Sequence, residues 1–318
     1  MMFLHLFNQP KNVDLCTNLL YIGDTPFVSL LSRFTQICVP MYLFLSGYGL
    51  FISFENKNYK KSHFRILSLW LNYILILAIF VFIGMYVYPE KYPGSFLEII
   101  LNVTTFSYSY NAEWWFLFPY FILVLISPFL FKWINKTKLG YSFFSFIIIG
   151  SLTQLLIKYN FSTYFSSHEL AYKSILVLSC LFPFGIGALF AKENIIGKIY
   201  SHLSIYVSIV FIILVIIIKM FFSNNFLNPY VAVVFIVCFS RIKKSKIVNN
   251  YFEFLGKHST NIWLIHTFFC YYLFKIFIYS FKYPLLIFIV LLLCSILSSY
   301  IINLIYIPLN KLLVKFLR

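Results

Sequence analysis

The chain has 318 residues, of which 61% are hydrophobic and only 11% are charged, and its formal net charge is +16. Soluble domains carry about 25% charged residues, so this composition excludes an ordinary soluble fold. A helix that crosses a bilayer needs about 20 consecutive apolar residues, and such runs fill nearly the whole chain. The sequence therefore predicts an all-α fold, a polytopic transmembrane helical bundle that forms one domain over residues 1–318.

The apolar runs predict nine complete spans after a stub at residues 1–8. In chain order the spans cover residues 27–53, 64–87, 113–131, 142–158, 170–191, 203–222, 226–240, 261–279 and 284–309. Residues 95–106 are apolar but too short to cross, so we expect them on the surface.

The stub contains only the apolar segment MMFLHLF. Seven residues cover about 10 Å of helix, against a hydrocarbon core of about 30 Å. We therefore interpret the stub as the outer part of a first helix whose beginning is missing, through a misassigned start codon or a truncated gene. It has neither the basic region nor the small-residue cleavage pattern of a signal peptide.

Basic residues separate into two alternating sets of predicted loops. Seventeen lie in one set: Lys57, Lys60, Lys61, Arg65, Lys132, Lys136, Lys138, Lys192, Lys198, Arg241, Lys243, Lys244, Lys246, Lys257, Lys311, Lys315 and Arg318. The other set holds five: Lys11, Lys91, Lys158, Lys173 and Lys282. Because basic residues concentrate in cytoplasmic loops, we expect a cytoplasmic carboxy terminus. The positive charge then indicates contact with membrane lipids, not with nucleic acid.

The six cysteines have no CxxC or metal-like spacing, and most lie within apolar runs. We expect neither disulfides nor a metal, and no tightly bound cofactor. The abundance of Ile, Phe, Tyr, Asn and Lys is typical of AT-rich coding, which favours a low-GC bacterium and its plasma membrane.

Ionisable residues at bilayer depth are costly unless they face a polar interior, so they are candidates for function. In SRFTQICVPMYLFLSGYGLF, a continuous helix would place Gln36, Pro40 and Gly47 on one stripe with Arg33. The alternative is that Arg33 extends to the outer interface while Pro40 and Gly47 permit a kink and close packing.

Two histidines lie among apolar neighbours. His5, in the stub, suits a general base because its unperturbed pKa of about 6.5 is near working pH, although a histidine near a helix end is often only interfacial. His266, in NIWLIHTFF, would bind substrate or pack across the bundle.

Two further charges lie at predicted helix ends. Arg65 would be either a cytoplasmic anchor or, with Lys60 and Lys61, an entrance for an anionic donor such as coenzyme A. Glu113, in NAEWWFLFPY, is explained by a helix amino terminus alone. The sequence contains no GxSxG, HExxH or phosphate-binding glycine loop.

Four segments, in order, resemble acyltransferase family 3, a family of membrane acyltransferases with about ten helices. They are LLSRFTQICVPMYLFLSGYGLF, KKSHFRILSLWLNYIL, NAEWWFLFPYFILVLISPFL and FEFLGKHSTNIWLIHTFF. The first is the most specific, since it is similar to the family's arginine followed by a VP-x-F/Y-x-F-x-SGY run.

The resemblance implies a catalytic histidine in the first helix, and LHLF places His5 there. In the family this histidine usually follows an arginine, with ten residues between them. The arginine of this pattern would precede Met1. It also implies Arg33, Arg65 and His266 as substrate-binding members of a polar interior. The implied reaction moves an acetyl or other short acyl group from acyl-CoA to a hydroxyl of a surface polysaccharide or its lipid-linked precursor.

Two other interpretations stay open at this point. The protein could export or flip a polysaccharide or lipid-linked glycan, although the two halves show no convincing repeat of the kind common in transporters. Alternatively, it could be an inactive, truncated remnant.

Overall fold

The structure is a computed structural model that describes residues 1–57, 60–158 and 168–316. Its helices are α1 (Met2–Phe7), α2 (Pro10–Val13), α3 (Phe27–Phe34), α4 (Cys38–Glu55), α5 (Lys60–Val87), α6 (Phe96–Val103), α7 (Leu117–Lys136), α8 (Leu139–Lys158), α9 (Glu169–Lys192), α10 (Ile195–Tyr200), α11 (Ile205–Phe221), α12 (Asn228–Arg241), α13 (Lys246–Thr267), α14 (Lys275–Tyr279) and α15 (Pro284–Phe316). An antiparallel pair of two-residue strands, β1 (Tyr21–Ile22) and β2 (Thr25–Pro26), lies between α2 and α3.

Within the described residues, six helical segments are long and apolar enough to cross a membrane. They are Phe27–Glu55, His63–Val87, Ala112–Lys136, Leu139–Ile157, Glu169–Lys192 and Pro284–Phe316. Two shorter apolar helices, α11 and α12, lie where spans 203–222 and 226–240 were predicted. The predicted all-α polytopic bundle is confirmed.

The eighth predicted span, residues 261–279, was wrong in its bounds. Helix α13 begins much earlier, at Lys246, and ends at Thr267. A π-helix, Phe268–Tyr272, and the short α14 follow it. Counting apolar residues missed the polar first half of α13, which includes Asn249, Asn250 and Glu253. It also missed the wide turn in which the Leu273 amide donates to the Phe268 carbonyl at 2.8 Å.

The helical segment that would carry the predicted polar stripe below Arg33 changes its geometry for one turn. A 3₁₀ turn over Thr35–Ile37 separates α3 from α4. Pro40 has no amide hydrogen, so it cannot donate to the carbonyl of Gln36 one turn earlier, and the backbone tightens before it. The stripe was predicted from the rotation of 100° per residue in an α-helix. This rotation changes in the 3₁₀ turn between Arg33 and Gly47, so the stripe stays a prediction.

Residues 95–106, which were predicted to lie on the surface, contain the short helix α6, Phe96–Val103. The Ser95 side chain caps α6 by accepting from the Glu98 amide at 3.2 Å. Phe96 and Leu97 are exposed on its first turn.

The described chain divides into two compact units. The first comprises Met1–Thr35, Phe64–Trp115 and Lys244–Arg318. Within it α1 packs against α3, α13 and α15, and α13 packs along α15. Aromatic rings fill its core: Phe80 stacks on Phe268 at 4.5 Å between centroids, and Trp114 meets Tyr73 edge to face at 4.8 Å.

The second unit comprises Gln36–His63 and Phe116–Lys243. Its centre is the packing of α4 against α9, where glycine on each helix faces backbone on the other. An ideal Cβ on Gly47 would lie 1.9 Å from the Phe184 carbonyl oxygen, and one on Gly187 would lie 2.0 Å from that of Phe44. Small residues at these positions let the two helices approach closely. A single domain over residues 1–318 remains a prediction.

Candidate active site

His5 lies buried in α1, in the first unit, with its imidazole facing a carboxylate. Its Nε2 is 3.4 Å from Oε2 of Glu113, and its side chain is 11% exposed. Its ring also lies 5.2 Å from the ring of His266 and 5.8 Å from that of Tyr271. The structure therefore gathers two histidines and one acidic residue at a single place.

Glu113 is positioned by the residues on either side of it. Its amide donates to Oδ1 of Asn111 at 3.1 Å, and Nδ2 of Asn111 donates to Oγ1 of Thr267 at 2.7 Å. Nε1 of Trp114 donates to the Leu264 carbonyl at 3.0 Å. These bonds attach the 3₁₀ segment Ala112–Phe116 to α13, so the carboxylate of Glu113 is held close to that helix.

His266 is fully buried, and its hydrogen bonds define how its ring is protonated. Nδ1 lies 2.8 Å from the Ile262 carbonyl oxygen and 3.0 Å from that of Trp263. Carbonyl oxygens only accept, so Nδ1 carries the hydrogen. In a neutral ring Nε2 is then a bare acceptor, and it has no hydrogen-bond partner among the described residues.

The backbone of α1 is held by side chains of the first unit. The Tyr271 hydroxyl and Nδ2 of Asn12 both donate to the His5 carbonyl, the latter at 3.4 Å. The Tyr279 hydroxyl donates to the Leu6 carbonyl at 2.9 Å. Tyr271 belongs to the π-helix that follows α13, a feature frequent at functional sites.

The other predicted site residues lie elsewhere in the first unit. Arg33 is half-buried on α3, which packs against α1. Arg65 is exposed on α5 and lines a separate cavity. Of the four predicted site residues, the structure thus brings His5 and His266 together. The side chains of Lys60 and Lys61 lie outside the described residues.

Sequence reasoning missed Glu113 as a site residue. The chain has only nine acidic residues, and this one begins an apolar helix on the same predicted side of the membrane as His5. This position could have indicated that Glu113 belongs to the site. However, an acidic residue is also favoured at a helix amino terminus for electrostatic reasons alone. Asn111 and Trp114 gave no signal, because their roles depend on contacts with α13 that only the fold creates.

A buried imidazole beside a carboxylate can remove a proton from a hydroxyl, with the carboxylate stabilising the imidazolium that forms. A second imidazole with a bare nitrogen can accept a hydrogen bond from a substrate. Such a site is suited to transferring a group onto a hydroxyl.

A comparison with protein families matches residues 4–304 to the acyltransferase domain of acyltransferase family 3. These residues include every residue of this site. Comparison with curated proteins and with solved structures gives no match. The family match extends over nearly the whole chain and agrees with the all-α membrane bundle. The chain therefore belongs to acyltransferase family 3 and is a multi-pass membrane acyltransferase.

Proposed function

We propose that the protein transfers an acetyl or other short acyl group from acyl-CoA to a hydroxyl of a cell-surface polysaccharide or its lipid-linked precursor. The observation that carries the proposal is the pair formed by the buried His5 and the half-buried Glu113, at 3.4 Å. Hydroxyl groups are abundant on sugars, and a base of this kind activates them for attack on a thioester.

In the proposed reaction the acceptor oxygen forms a bond to the thioester carbonyl carbon as its proton moves to Nδ1 of His5. Glu113, which faces Nε2, orients the ring and stabilises the imidazolium. The carbon–sulfur bond then breaks, and the leaving thiolate of coenzyme A takes the proton back from His5.

His266 and Arg33 would bind the acceptor. The bare Nε2 of His266 is suited to accept a hydrogen bond from a sugar hydroxyl. Arg33, on the helix next to α1, would orient the acceptor or stabilise negative charge on the carbonyl oxygen.

The proposed location is the plasma membrane of a bacterium, with the carboxy terminus and the acyl-CoA entrance in the cytoplasm. The distribution of seventeen basic residues against five in alternate loops supports this orientation.

The test replaces His5 with alanine in the full-length protein and measures O-acetyl groups on the surface polysaccharide of cells. We expect a loss of about a hundredfold or more, in the range of general acid–base catalysis. His202, an exposed histidine on the surface, gives the matched control, and His202→Ala should keep full acetylation.

The amount of surface polysaccharide is measured in the same cells. Normal amounts without acyl groups would support acyl transfer, whereas glycan retained inside the cell would favour an exporter. Unchanged acetylation in His5→Ala would remove His5 from the mechanism.

A further inference from the structure

The second unit contains two buried lysines that differ in the partners of their amines. Lys173, on α9, is 3% exposed, and its Nζ lies 3.1 Å from Oε1 of Glu169, one turn earlier on the same helix. The same nitrogen lies 5.3 Å from the centre of the Phe118 ring, so the charge of Lys173 is paired. Lys219, in the last turn of α11, is 0% exposed, and its charge needs a partner of its own.

The amine of Lys219 contacts neutral oxygen atoms. Its Nζ donates to the Asn224 carbonyl at 3.2 Å and to Oε1 of Gln36 at 3.4 Å. The structure describes all nine acidic residues of the chain, and none of them lies within 4 Å of this nitrogen. An ammonium group has three N–H donors. Two neutral oxygens therefore leave one donor without an acceptor among the described residues, and they leave the positive charge uncompensated.

Burial of this charge is unfavourable, because an unpaired ion loses its hydration inside a protein. A lysine in the last turn of a helix gains from the helix dipole. An exposed lysine gains in the same way, so the dipole does not explain the burial. A charged Lys219 thus requires an anion from outside the chain.

The residues of α11 next to Lys219 indicate which kind of anion fits. Large apolar side chains on both sides of it in the sequence are exposed: Ile217, Ile218, Phe221 and Phe222. Exposed apolar surface of this kind contacts the hydrocarbon chains of lipids. Lys219 lies where the apolar helix ends, which is the depth of the lipid headgroups. A phosphate on a hydrocarbon chain would therefore suit both the amine and its surroundings.

We propose that Lys219 binds the phosphate of a membrane lipid at the end of α11. Phe222, Ser223 and Asn224 follow the helix, have no regular secondary structure and are exposed. A phosphate oxygen that takes the place of the Asn224 carbonyl at Nζ forms a charge-assisted hydrogen bond, which is stronger than a bond to a neutral carbonyl. The hydrocarbon chains of the lipid then lie along the exposed side chains of α11. The proposal concerns the second unit alone and does not depend on the proposed acyl transfer.

Two kinds of lipid supply such a phosphate. One is a phospholipid of the bilayer, and the other is a polyprenyl phosphate, the class of carrier to which lipid-linked glycans are attached. With the carboxy terminus in the cytoplasm, this end of α11 is expected at the outer face of the membrane, where both kinds of lipid are accessible.

The experiment measures, by native mass spectrometry, the Kd of the first lipid that binds to the purified, delipidated full-length protein. The probes are phosphatidylglycerol, a polyprenyl phosphate, and diacylglycerol, which has acyl chains but no phosphate. We expect at least one phosphorylated lipid to bind about tenfold more tightly than diacylglycerol, the effect of a hydrogen bond to a charged group. The tighter of the two phosphorylated lipids identifies the source of the phosphate.

Lys219→Gln keeps hydrogen-bond donors at this position but removes the charge. We expect it to weaken binding of the phosphorylated lipid about tenfold and to leave binding of diacylglycerol unchanged. Lys219→Arg keeps the charge, so its binding should stay close to that of the wild type. Lys11→Gln is the matched control, since Lys11 is an exposed lysine on the same predicted side of the membrane, and it should change nothing.

Equal binding of the three lipids by the wild-type protein would overturn the proposal, even if Lys219→Gln fails to fold. Unchanged lipid binding in Lys219→Gln would also overturn it, because a neutral donor would then be sufficient. An oligosaccharide of uronic acids is the last probe. If it displaces the lipids from the wild-type protein and fails to bind Lys219→Gln, the anion is a carboxylate of an acidic glycan, and the lipid site is wrong.

Discussion

Trp114 donates its indole hydrogen to the carbonyl of Leu264, at 3.0 Å and across 150 residues of sequence. This bond joins the segment that carries Glu113 to the helix that carries His266. The distance between the carboxylate and the two histidines therefore depends on an aromatic side chain that has no chemical role of its own.

Replacing Trp114 with phenylalanine should lower acyl transfer more than it lowers stability. The phenyl ring keeps packing against Tyr73 and Phe268, but the Leu264 carbonyl loses its donor, at a cost of about 1 kcal/mol. Because Glu113 is then less well positioned, we expect kcat to fall about tenfold while the KM for acetyl-CoA stays within twofold. Steady-state kinetics in proteoliposomes measure both constants.

The matched control is Trp133→Phe, at a more exposed tryptophan of α7. Equal loss of kcat in both variants would contradict a specific role for the Trp114 hydrogen bond.

Glu113→Gln should reduce kcat about tenfold to a hundredfold, because an amide cannot stabilise the imidazolium that forms on His5. Gln keeps the size of the side chain, so packing should change little. The initial rate of acetyl-CoA consumption with a glycan acceptor measures the effect. Glu90→Gln, at an exposed acidic residue, should be fully active, and an active Glu113→Gln would show that the carboxylate is dispensable.

The ring of His266 should be protonated at Nδ1 and bare at Nε2. This follows from the two carbonyl oxygens within 3.0 Å of Nδ1. Nitrogen-15 NMR of protein labelled at its six histidines distinguishes the two ring tautomers, and His266→Phe assigns the signal by removing it. A signal from protonated Nε2 in the neutral ring would require a hydrogen-bond pattern different from the one described.

Gly47→Ala should destabilise the second unit by about 1–3 kcal/mol. The new methyl group would lie 1.9 Å from the Phe184 carbonyl oxygen, so α4 and α9 would have to separate. Gly49→Ala, two residues away on α4, meets no atom within 4 Å and should be neutral or slightly stabilising, since alanine favours helix over glycine. Thermal unfolding in detergent compares the two, and similar midpoints would argue against close packing at Gly47.

Most helices follow from the lengths of apolar runs, because a membrane crossing demands about 20 such residues. The helix bounds differ from the apolar runs where local sequence features outweigh hydropathy. Pro40 interrupts the helix at Thr35–Ile37, and α13 begins in a polar segment that no hydropathy criterion selects.

The candidate site was predictable only in part, for a different physical reason. His5 and His266 stood out as ionisable groups in apolar surroundings. Glu113 owes its importance to neighbours far away in the sequence, and only the fold brings those neighbours together.

Three hydrogen bonds that hold α1 end on main-chain oxygen atoms, those of His5 and Leu6. Every amino acid supplies such an oxygen, so the anchoring of this helix tolerates sequence drift along it. The hydrogen bonds depend instead on the donors, which include the hydroxyls of Tyr271 and Tyr279. In a saturation library, Phe3 and Leu4 should accept many apolar replacements, whereas the distant tyrosines should tolerate few.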